Sequence, residues 1–181
     1  MSESAPVDEL RRELNRLAIS HSDLTLAVEC ARSLVQRNLL SGTAVSIDRG
    51  DGLITIGLTH ALIISYCRPF TQRRDSGGTL ETVDYLAEPR GSFAAQEERM
   101  HERLLDLRDQ VVGHSDARRS EVSIRLDAEP PYLVHNWAER MPLQSRDLPV
   151  IVQMIIKLRR PLRDRMEGLT ADLARSGVRH V

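Results

Sequence analysis

The spacing of apolar residues is the feature that most constrains how this chain can fold. Near its start they recur every three or four positions, which places them on one face of an α-helix with about 3.6 residues per turn. This stripe consists of Leu10, Leu14, Leu17, Leu24, Val28, Ala31, Val35 and Leu39. Because Ser20 or Ser22 can cap a new helix within it, the segment predicts one long helix or two helices in series, ending at Ser41–Gly42.

Two further helices are predicted in the middle of the chain. The run from Leu53 to Tyr66 is apolar almost all round, which is typical of a central, buried helix in a soluble protein. The next helix is predicted to begin at Ser92, whose side chain can cap it. Its apolar stripe comprises Met100, Leu104, Leu107 and Val111. Gly113 then predicts a C-terminal cap, since glycine takes the left-handed conformation without steric cost.

The last predicted helix lies near the C-terminus. Asp147 together with Pro149 signals its start, because proline is tolerated in the first turn of a helix. Its stripe consists of Ile151, Ile155, Leu158, Leu162, Met166, Leu169 and Leu173. The register of this stripe continues through Pro161, which predicts one kinked helix rather than two, and Gly177 is expected to end it.

The remaining regular pattern predicts a β-hairpin. Val122, Ile124 and Leu126 alternate with polar residues, and the turn signal DAEPP separates them from YLVHNW. Only 3% of the residues are aromatic, so aliphatic side chains must build the core, which suits helical packing better than a sandwich or a barrel. We therefore expect an all-α, up-and-down helical bundle with a small β-hairpin insertion near residues 120–136, preceded by a disordered leader over residues 1–6. Residues 7–181 are predicted to form a single domain.

Composition argues for a soluble protein of a reducing compartment. The formal net charge of −1 offers no global attraction to nucleic acid or to a membrane surface. Cys30 and Cys67 both fall in apolar helical segments, which predicts buried free thiols. The acidic, polar N-terminus is unlike a secretory signal, and the apolar run Leu53–Cys67 is shorter than a membrane span. We therefore predict a cytoplasmic protein without a membrane partner.

Metal and cofactor motifs are weak in this sequence. Glu98 and His101 form a single E-x-x-H pattern, which occurs doubled in di-metal bundles, so we interpret it as a solvated helix face and predict neither a metal nor a cofactor. His21 is predicted to be packed and hydrogen-bonded, whereas His60 is interpreted as a core histidine with a functional role left open. Arg68 ends the most apolar helix and requires a carboxylate within the fold, a phosphate or carbonyl groups as its partner. The arginine-rich run KLRRPLRDR near the C-terminus is interpreted as a solvated helix face.

An arginine followed four to six residues later by a histidine is a stronger candidate for a functional site than the metal motifs. The spacing alone does not separate a functional pair from a chance match. The pattern occurs as Arg16–His21, Arg108–His114 and Arg175–His180, and this arginine-rich composition supplies such matches by chance. Arg108 and His114 would not share a face of a straight helix. If Gly113 ends the helix in a left-handed cap, His114 can swing back toward Arg108 of the same chain or of a second subunit. Asp109 and Asp116 would orient the two groups.

Two segments of the chain resemble a known family. The stretch HERLLDLRDQVVGHSD, His101 to Asp116, resembles the motif helix of HEPN (higher eukaryote and prokaryote nucleotide-binding) proteins. These proteins carry R-x(4–6)-H with a polar residue directly after the arginine, here Asp109. Upstream, LTHALIISYCRPF, Leu58 to Phe70, resembles a segment that precedes this motif in bacterial HEPN-like and abortive-infection-type proteins.

The resemblance implies an all-α bundle that dimerises with its motif helices facing each other, and in many members a metal-independent ribonuclease of toxin or antiphage type. Arg108 would stabilise the pentacoordinate phosphate, and His114 would act as general base on the ribose 2′-OH or as general acid on the 5′-oxygen. Asp109, Ser115 and Asp116 would support this pair. Arg68 would bind RNA phosphate if it lies at the same end of the bundle.

Three functional hypotheses follow from these residues. The first is a homodimeric HEPN-like endoribonuclease acting on RNA, with or without an antitoxin. The second is a non-catalytic HEPN-like bundle that binds a partner protein or a nucleotide. In the third, an unrelated helical protein uses Arg108 in an ion pair and His114 as a helix cap.

Overall fold

A computed structural model describes residues 4–40, 50–70, 73–74, 80–81, 86, 90–112, 122–125, 132–135 and 142–176. In these ranges the chain forms four α-helices, and a 3-10 turn over Arg68–Phe70 directly follows the second of them. The helices are α1 (Ser4–Gln36), α2 (Gly50–Cys67), α3 (Ala95–Val112) and α4 (Asp147–Arg175). The all-α class predicted from the apolar spacing is confirmed.

Short strands occupy a small part of the described chain. Strand β1 (Arg73–Arg74) pairs antiparallel with β2 (Leu80–Glu81). Strand β3 (Val122–Arg125) pairs antiparallel with β4 (Tyr132–His135), and Val122 lies opposite His135. Residues 126–131 between β3 and β4 lie outside the described ranges, so the hairpin insertion near residues 120–136 stays a prediction.

Helix α1 is one continuous helix, and it ends earlier than the sequence predicts. Ser20 is buried within it and therefore does not cap a second helix. Asn38 adopts a left-handed φ of 51°, and the amide of Leu39 donates to the Leu34 carbonyl at 3.0 Å. This arrangement satisfies the last carbonyls of α1, so the helix stops at Gln36 and the end predicted at Ser41–Gly42 is wrong. Helix α1 begins at Ser4. The disordered leader over residues 1–6 and the single domain over residues 7–181 stay predictions.

Helix α3 also begins later than predicted. Its first residue is Ala95, and the backbone amide of Ala94 donates to Oε2 of Glu97 at 2.7 Å. The carboxylate of Glu97 thus satisfies the amide of the N-cap residue, as the second half of a capping box does. Ser92 lies three residues before the helix, so the prediction that it caps α3 is wrong.

Cross-helix ion pairs show that α4 runs antiparallel to both α1 and α3. Glu13 of α1 lies 2.8 Å from Arg165, whereas Asp147, at the other end of α4, is paired with Arg103 of α3 at 3.2 Å. Nearer the start of α3, Glu97 lies 2.6 Å from Nζ of Lys157. On α3 the lower residue number therefore pairs with the higher number on α4, which is the antiparallel order.

The C-terminal end of α2 packs against the middle of α3. The Cys67 Sγ–H donates to the Leu104 carbonyl at 3.2 Å, and the ring of Phe70, in the 3-10 turn that follows α2, contacts His101. The four helices enclose one aliphatic core. Its members with no exposed surface include Leu17, Leu24, Leu62, Ile63, Leu104, Ile151, Met154, Ile155 and Leu158. The predicted stripe of α4 therefore faces the core, and Pro161 lies inside this single helix.

Helix α2 is not buried all round, contrary to the sequence prediction. Thr55 and Thr59 face the core, whereas Leu53 is 60% exposed and Ile54 is also exposed. Apolar composition could not reveal this orientation, because the packing of Tyr66 and Cys67 at the other end of α2 decides which face turns inward. The 20-residue stretch Asp51–Phe70 is long and apolar enough to cross a membrane by length and composition, a test that the core helix of a soluble protein also passes.

Candidate functional site

Arg108 lies one turn before the end of α3, with 34% of its side chain exposed. Its Nε donates to Oδ1 of Asp109 at 2.8 Å, and its Nη2 donates to the same oxygen at 2.5 Å. Asp109 is the next residue of the chain and is well exposed. An ion pair at the surface contributes little to stability, and this one joins Arg108 to no other helix. Among the described residues Arg108 contacts this carboxylate alone, which leaves donors of its guanidinium that a phosphate can bind.

Cys67 connects the end of α2 to the region of Arg108. Its thiol is buried and donates to the carbonyl of Leu104, one helical turn before Arg108. Burial raises the pKa of the Cys67 thiol to about 12, and the nearby positive charge of Arg108 opposes part of that rise. The thiol thus stays protonated and structural, and the prediction that Cys30 and Cys67 are buried and free is confirmed.

The histidine half of the predicted pair lies outside the described residues. His114, Ser115 and Asp116 all follow Val112, where α3 ends. Their distances from Arg108 are therefore not defined, and their roles stay predictions. In the ranges that the structure does describe, no group of three or more His, Cys, Asp or Glu side chains is placed to hold a metal ion.

Arg68 has a carboxylate partner within the fold. Its Nη1 lies 3.2 Å from Oδ1 of Asp23 on α1, and the side chain of Asp23 is 11% exposed. Arg68 itself remains about half exposed at the 3-10 turn that follows α2. The sequence had left a carboxylate and a phosphate open for this arginine, and the ion pair with Asp23 meets the first of these requirements.

A buried cluster around His101 is the feature that the sequence interpretation missed. His101 is 1% exposed, so placing the E-x-x-H pattern on a solvated face was wrong. Its Nδ1 lies 2.8 Å from the hydroxyl of Tyr66, and the ring of Phe70 packs edge-on with centroids 4.6 Å apart. The signal was present, because His101 precedes Leu104 by three residues and therefore shares its buried stripe.

The surroundings of His101 keep its imidazole neutral. Burial and the charge of Arg90 lower the pKa of His101 to about 4, although Glu98 acts in the opposite direction. Burial likewise raises the pKa of Tyr66, so its hydroxyl stays protonated. Nε2 of His101 is buried and makes no hydrogen bond with the described part of the chain. This cluster is therefore a packed, neutral pair that orients α2 against α3.

No protein-family model, curated protein or solved structure matches this chain. Its function is therefore inferred from the chemistry of its own residues and from the resemblance of two of its segments to HEPN proteins.

Proposed function

We propose that this chain is a HEPN-like, metal-independent endoribonuclease that uses Arg108 and His114 at the interface of a homodimer. The observation that supports this proposal best is the solvent exposure of Arg108 and the position of its ion-pair partner. Among the described residues its ion pair is with the adjacent, exposed Asp109, and a third of its side chain is open to solvent. No described ion pair ties this guanidinium to another helix, so it can turn toward a substrate without breaking a contact that holds two helices together.

The fold part of this proposal is a HEPN-like up-and-down bundle with a β-hairpin insertion. The antiparallel order of α3 and α4 supports it, as does the pairing of β3 with β4. We further place the enzyme in the cytoplasm without a membrane partner, which agrees with two cysteines that are free and buried. An antitoxin or another partner protein would regulate such an enzyme.

The proposed chemistry needs no metal. The ribose 2′-oxygen attacks the neighbouring phosphorus, and the 5′-oxygen of the next nucleotide leaves, which yields a 2′,3′-cyclic phosphate and a 5′-hydroxyl. Arg108 binds the non-bridging oxygens, whose negative charge grows in the pentacoordinate state. His114 of one subunit removes the 2′-proton as a base, and His114 of the other protonates the leaving oxygen as an acid. Asp109, Ser115 and Asp116 orient this pair.

Arg68 contributes RNA binding in this proposal. Its Nη1 donates to Oδ1 of Asp23, and about half of its side chain is exposed to solvent. A phosphate of the RNA backbone can approach this exposed, permanently charged group. Asp23 then fixes the position of Arg68 rather than competing with the RNA.

Cleavage of RNA in the presence of EDTA tests this function. We expect the wild-type protein to cleave and Arg108→Ala to lose activity by roughly two to three orders of magnitude, as removal of a transition-state donor does. His114→Ala is expected to lose at least as much. Arg99→Ala is the matched control, because Arg99 is an exposed arginine on the same helix. Equal cleavage by Arg108→Ala and the control would overturn the assignment.

A second candidate is a non-catalytic bundle that binds a protein partner, and the outward face of α2 favours it. We define this face as Leu53, Ile54 and Gly57. Leu53 and Ile54 are large apolar residues exposed to solvent. A side-chain Cβ at Gly57 would meet no atom within 4 Å, so a partner can approach the backbone closely. The partner that we test is a second copy of this chain.

Light scattering after size exclusion tests that candidate. We expect the wild-type protein to form a dimer, and Leu53→Glu to shift it to a monomer because a charge would be buried in the interface. Val35→Glu is the control, since Val35 is similarly exposed on α1 and lies outside the face. A wild-type monomer at all concentrations, or equal effects of the two variants, would contradict association through this face.

A further inference from the structure

An arginine of α4 contacts a histidine of α1 where the two helices pack, and a second arginine lies one helical turn further along α4. Nε of Arg159 donates to Nε2 of His21 at 3.5 Å, and both side chains are half-buried. Arg163 lies one helical turn beyond Arg159, so the two guanidinium groups project from the same side of α4. We name these three residues, His21, Arg159 and Arg163, the α1/α4 arginine site.

The positive charge of this site is poorly compensated by the described residues. The hydrogen bond of Arg159 goes to an uncharged imidazole rather than to a carboxylate. Arg163 lies 3.9 Å from Asp164 and 3.7 Å from Glu167, distances too long for hydrogen bonds, and both acids are exposed on its own helix.

Two acidic residues of α1 on either side of His21, Glu13 and Asp23, are already engaged by other arginines. Glu13 accepts from Nε of Arg165 at 2.9 Å and lies 2.8 Å from its Nη2. Burial lowers the pKa of His21, and the charges of Arg159 and Arg163 lower it further, without a carboxylate acting in the opposite direction. The field at His21 is therefore positive, although the whole chain carries a net charge of −1.

The half-buried guanidinium of Arg159 has one described acceptor, the neutral imidazole of His21, and this environment is energetically unfavourable for its charge. Removing its charge from water has a cost that an anion can offset, and the described residues use only one of its five N–H groups. Two guanidinium groups one turn apart match the several oxygens of a phosphate better than the two oxygens of a carboxylate. The compact ammonium group of a lysine would lack the planar, forked arrangement of donors that a guanidinium has.

We propose that His21, Arg159 and Arg163 form a binding site for a phosphate group, distinct from Arg108 and from its proposed chemistry. The two guanidinium groups donate hydrogen bonds to the phosphate oxygens, and the imidazole of His21 provides a third donor. When the anion binds, His21 gains a proton, so its Nε2 changes from an acceptor for Arg159 into a donor to the phosphate. The Nε–H of Arg159 is released toward the same ligand.

Titration of His21 by NMR tests the site directly. We measure the pKa of His21 in inorganic phosphate and in chloride at equal ionic strength, so that general screening cancels. In the wild-type protein we expect phosphate to raise the pKa of His21 by about one unit, because a nearby anion favours the protonated form. Arg159→Gln and Arg163→Gln are expected to abolish that difference.

Arg160→Gln is the matched control, because Arg160 is exposed on the same helix and projects about 100° away from Arg159. Arg163 is exposed too, so its substitution leaves the core intact, and circular dichroism checks the fold of every variant. An unchanged pKa of His21 in wild-type protein, or a shift that survives both Arg159→Gln and Arg163→Gln, would overturn the proposal.

Direct binding distinguishes the two sources of the phosphate. Inorganic phosphate represents a small ligand, and a 2′-O-methylated RNA oligonucleotide, which cannot be cleaved, represents a nucleic-acid backbone. We expect Arg159→Gln to weaken one or both by about tenfold, the equivalent of one charge-assisted hydrogen bond, while Arg160→Gln binds as wild type. Binding of neither probe would contradict the proposal. The shift in the pKa of His21 reports this site alone, whereas loss of RNA cleavage in Arg108→Ala reports the proposed ribonuclease site, so the two proposals can fail independently.

Discussion

At the scale of single residues, burial decides what a side chain can do. His101 belongs to an E-x-x-H pattern that indicates a solvated face, yet the packing of α2 against α3 places it beside Tyr66 and Phe70. Its neighbour in the pattern, Glu98, is paired with Arg90 at 3.2 Å. Residue types alone therefore suggested a solvated environment for His101, whereas packing against α2 buries it.

The neutral state of His101 makes the stability of the protein depend on pH. The folded pKa of about 4 is below the ordinary value of 6.5, so the unfolded chain binds the proton first as the pH falls. The free energy of unfolding should therefore decrease between about pH 6.5 and pH 4, by about 3 kcal/mol in total. Chemical denaturation across this range measures the decrease.

The variant His101→Gln isolates this contribution, because glutamine does not titrate. It is expected to be less stable than wild type at pH 7, and its deficit should shrink by about 3 kcal/mol as the pH approaches 4. The contributions of His21 and Glu97 are common to both proteins and cancel in the comparison. Parallel pH profiles for the two proteins would show that His101 titrates normally in the folded state.

At the scale of the elements, the sequence predicts helices well and their ends poorly. The stripes of α1, α3 and α4 follow from a period that every turn of the helix repeats, so many residues support each prediction. An end depends on one or two groups, such as the left-handed Asn38 or the carboxylate of Glu97. Ser92 and Gly42 are favourable capping residues as well, and sequence preference cannot rank them against the residues that the structure uses.

Helix α4 offers a test of the predicted stripe. Leu158 has no exposed surface, whereas Ile156, two positions earlier, is 52% exposed. We expect Leu158→Ala to lower the free energy of unfolding by about 2–5 kcal/mol through lost burial and the cavity left behind. Ile156→Ala should change it by less than about 1 kcal/mol. Urea denaturation of both variants measures the difference, and similar losses would mean that α4 is packed through another face.

At the scale of the whole molecule, the antiparallel packing of the helices brings together residues that lie far apart in the chain. Asp23 and Arg68 form an ion pair, and His21 meets Arg159 across the seam between α1 and α4. The run KLRRPLRDR was interpreted as a solvated helix face. The packing of α1 against its first half creates a site that this interpretation did not contain.

At the candidate catalytic site too, the sequence identified the residue and the packing of the helices determined its environment. The sequence alone pointed to Arg108, because a glycine and an acidic residue distinguish its pattern from the two other Arg–His pairs. That Arg108 is partly exposed and joined by an ion pair to Asp109 follows from its place near the end of α3. No periodicity predicts such exposure, since it depends on which neighbouring helices cover that turn.

The sequence by itself determined the all-α class, the aliphatic core and most of the apolar faces of α1, α3 and α4, because these follow from local spacing that each helix repeats. Val35, which the spacing placed on the apolar face of α1, is an exception, since it is 58% exposed near the end of that helix. The tertiary structure decided where helices end, which face of α2 is buried and which charges meet. Those outcomes depend on contacts between segments separated by many residues, such as Tyr66 with His101 and Arg159 with His21. Such contacts arise only when the helices pack, and no stretch of sequence contains both partners.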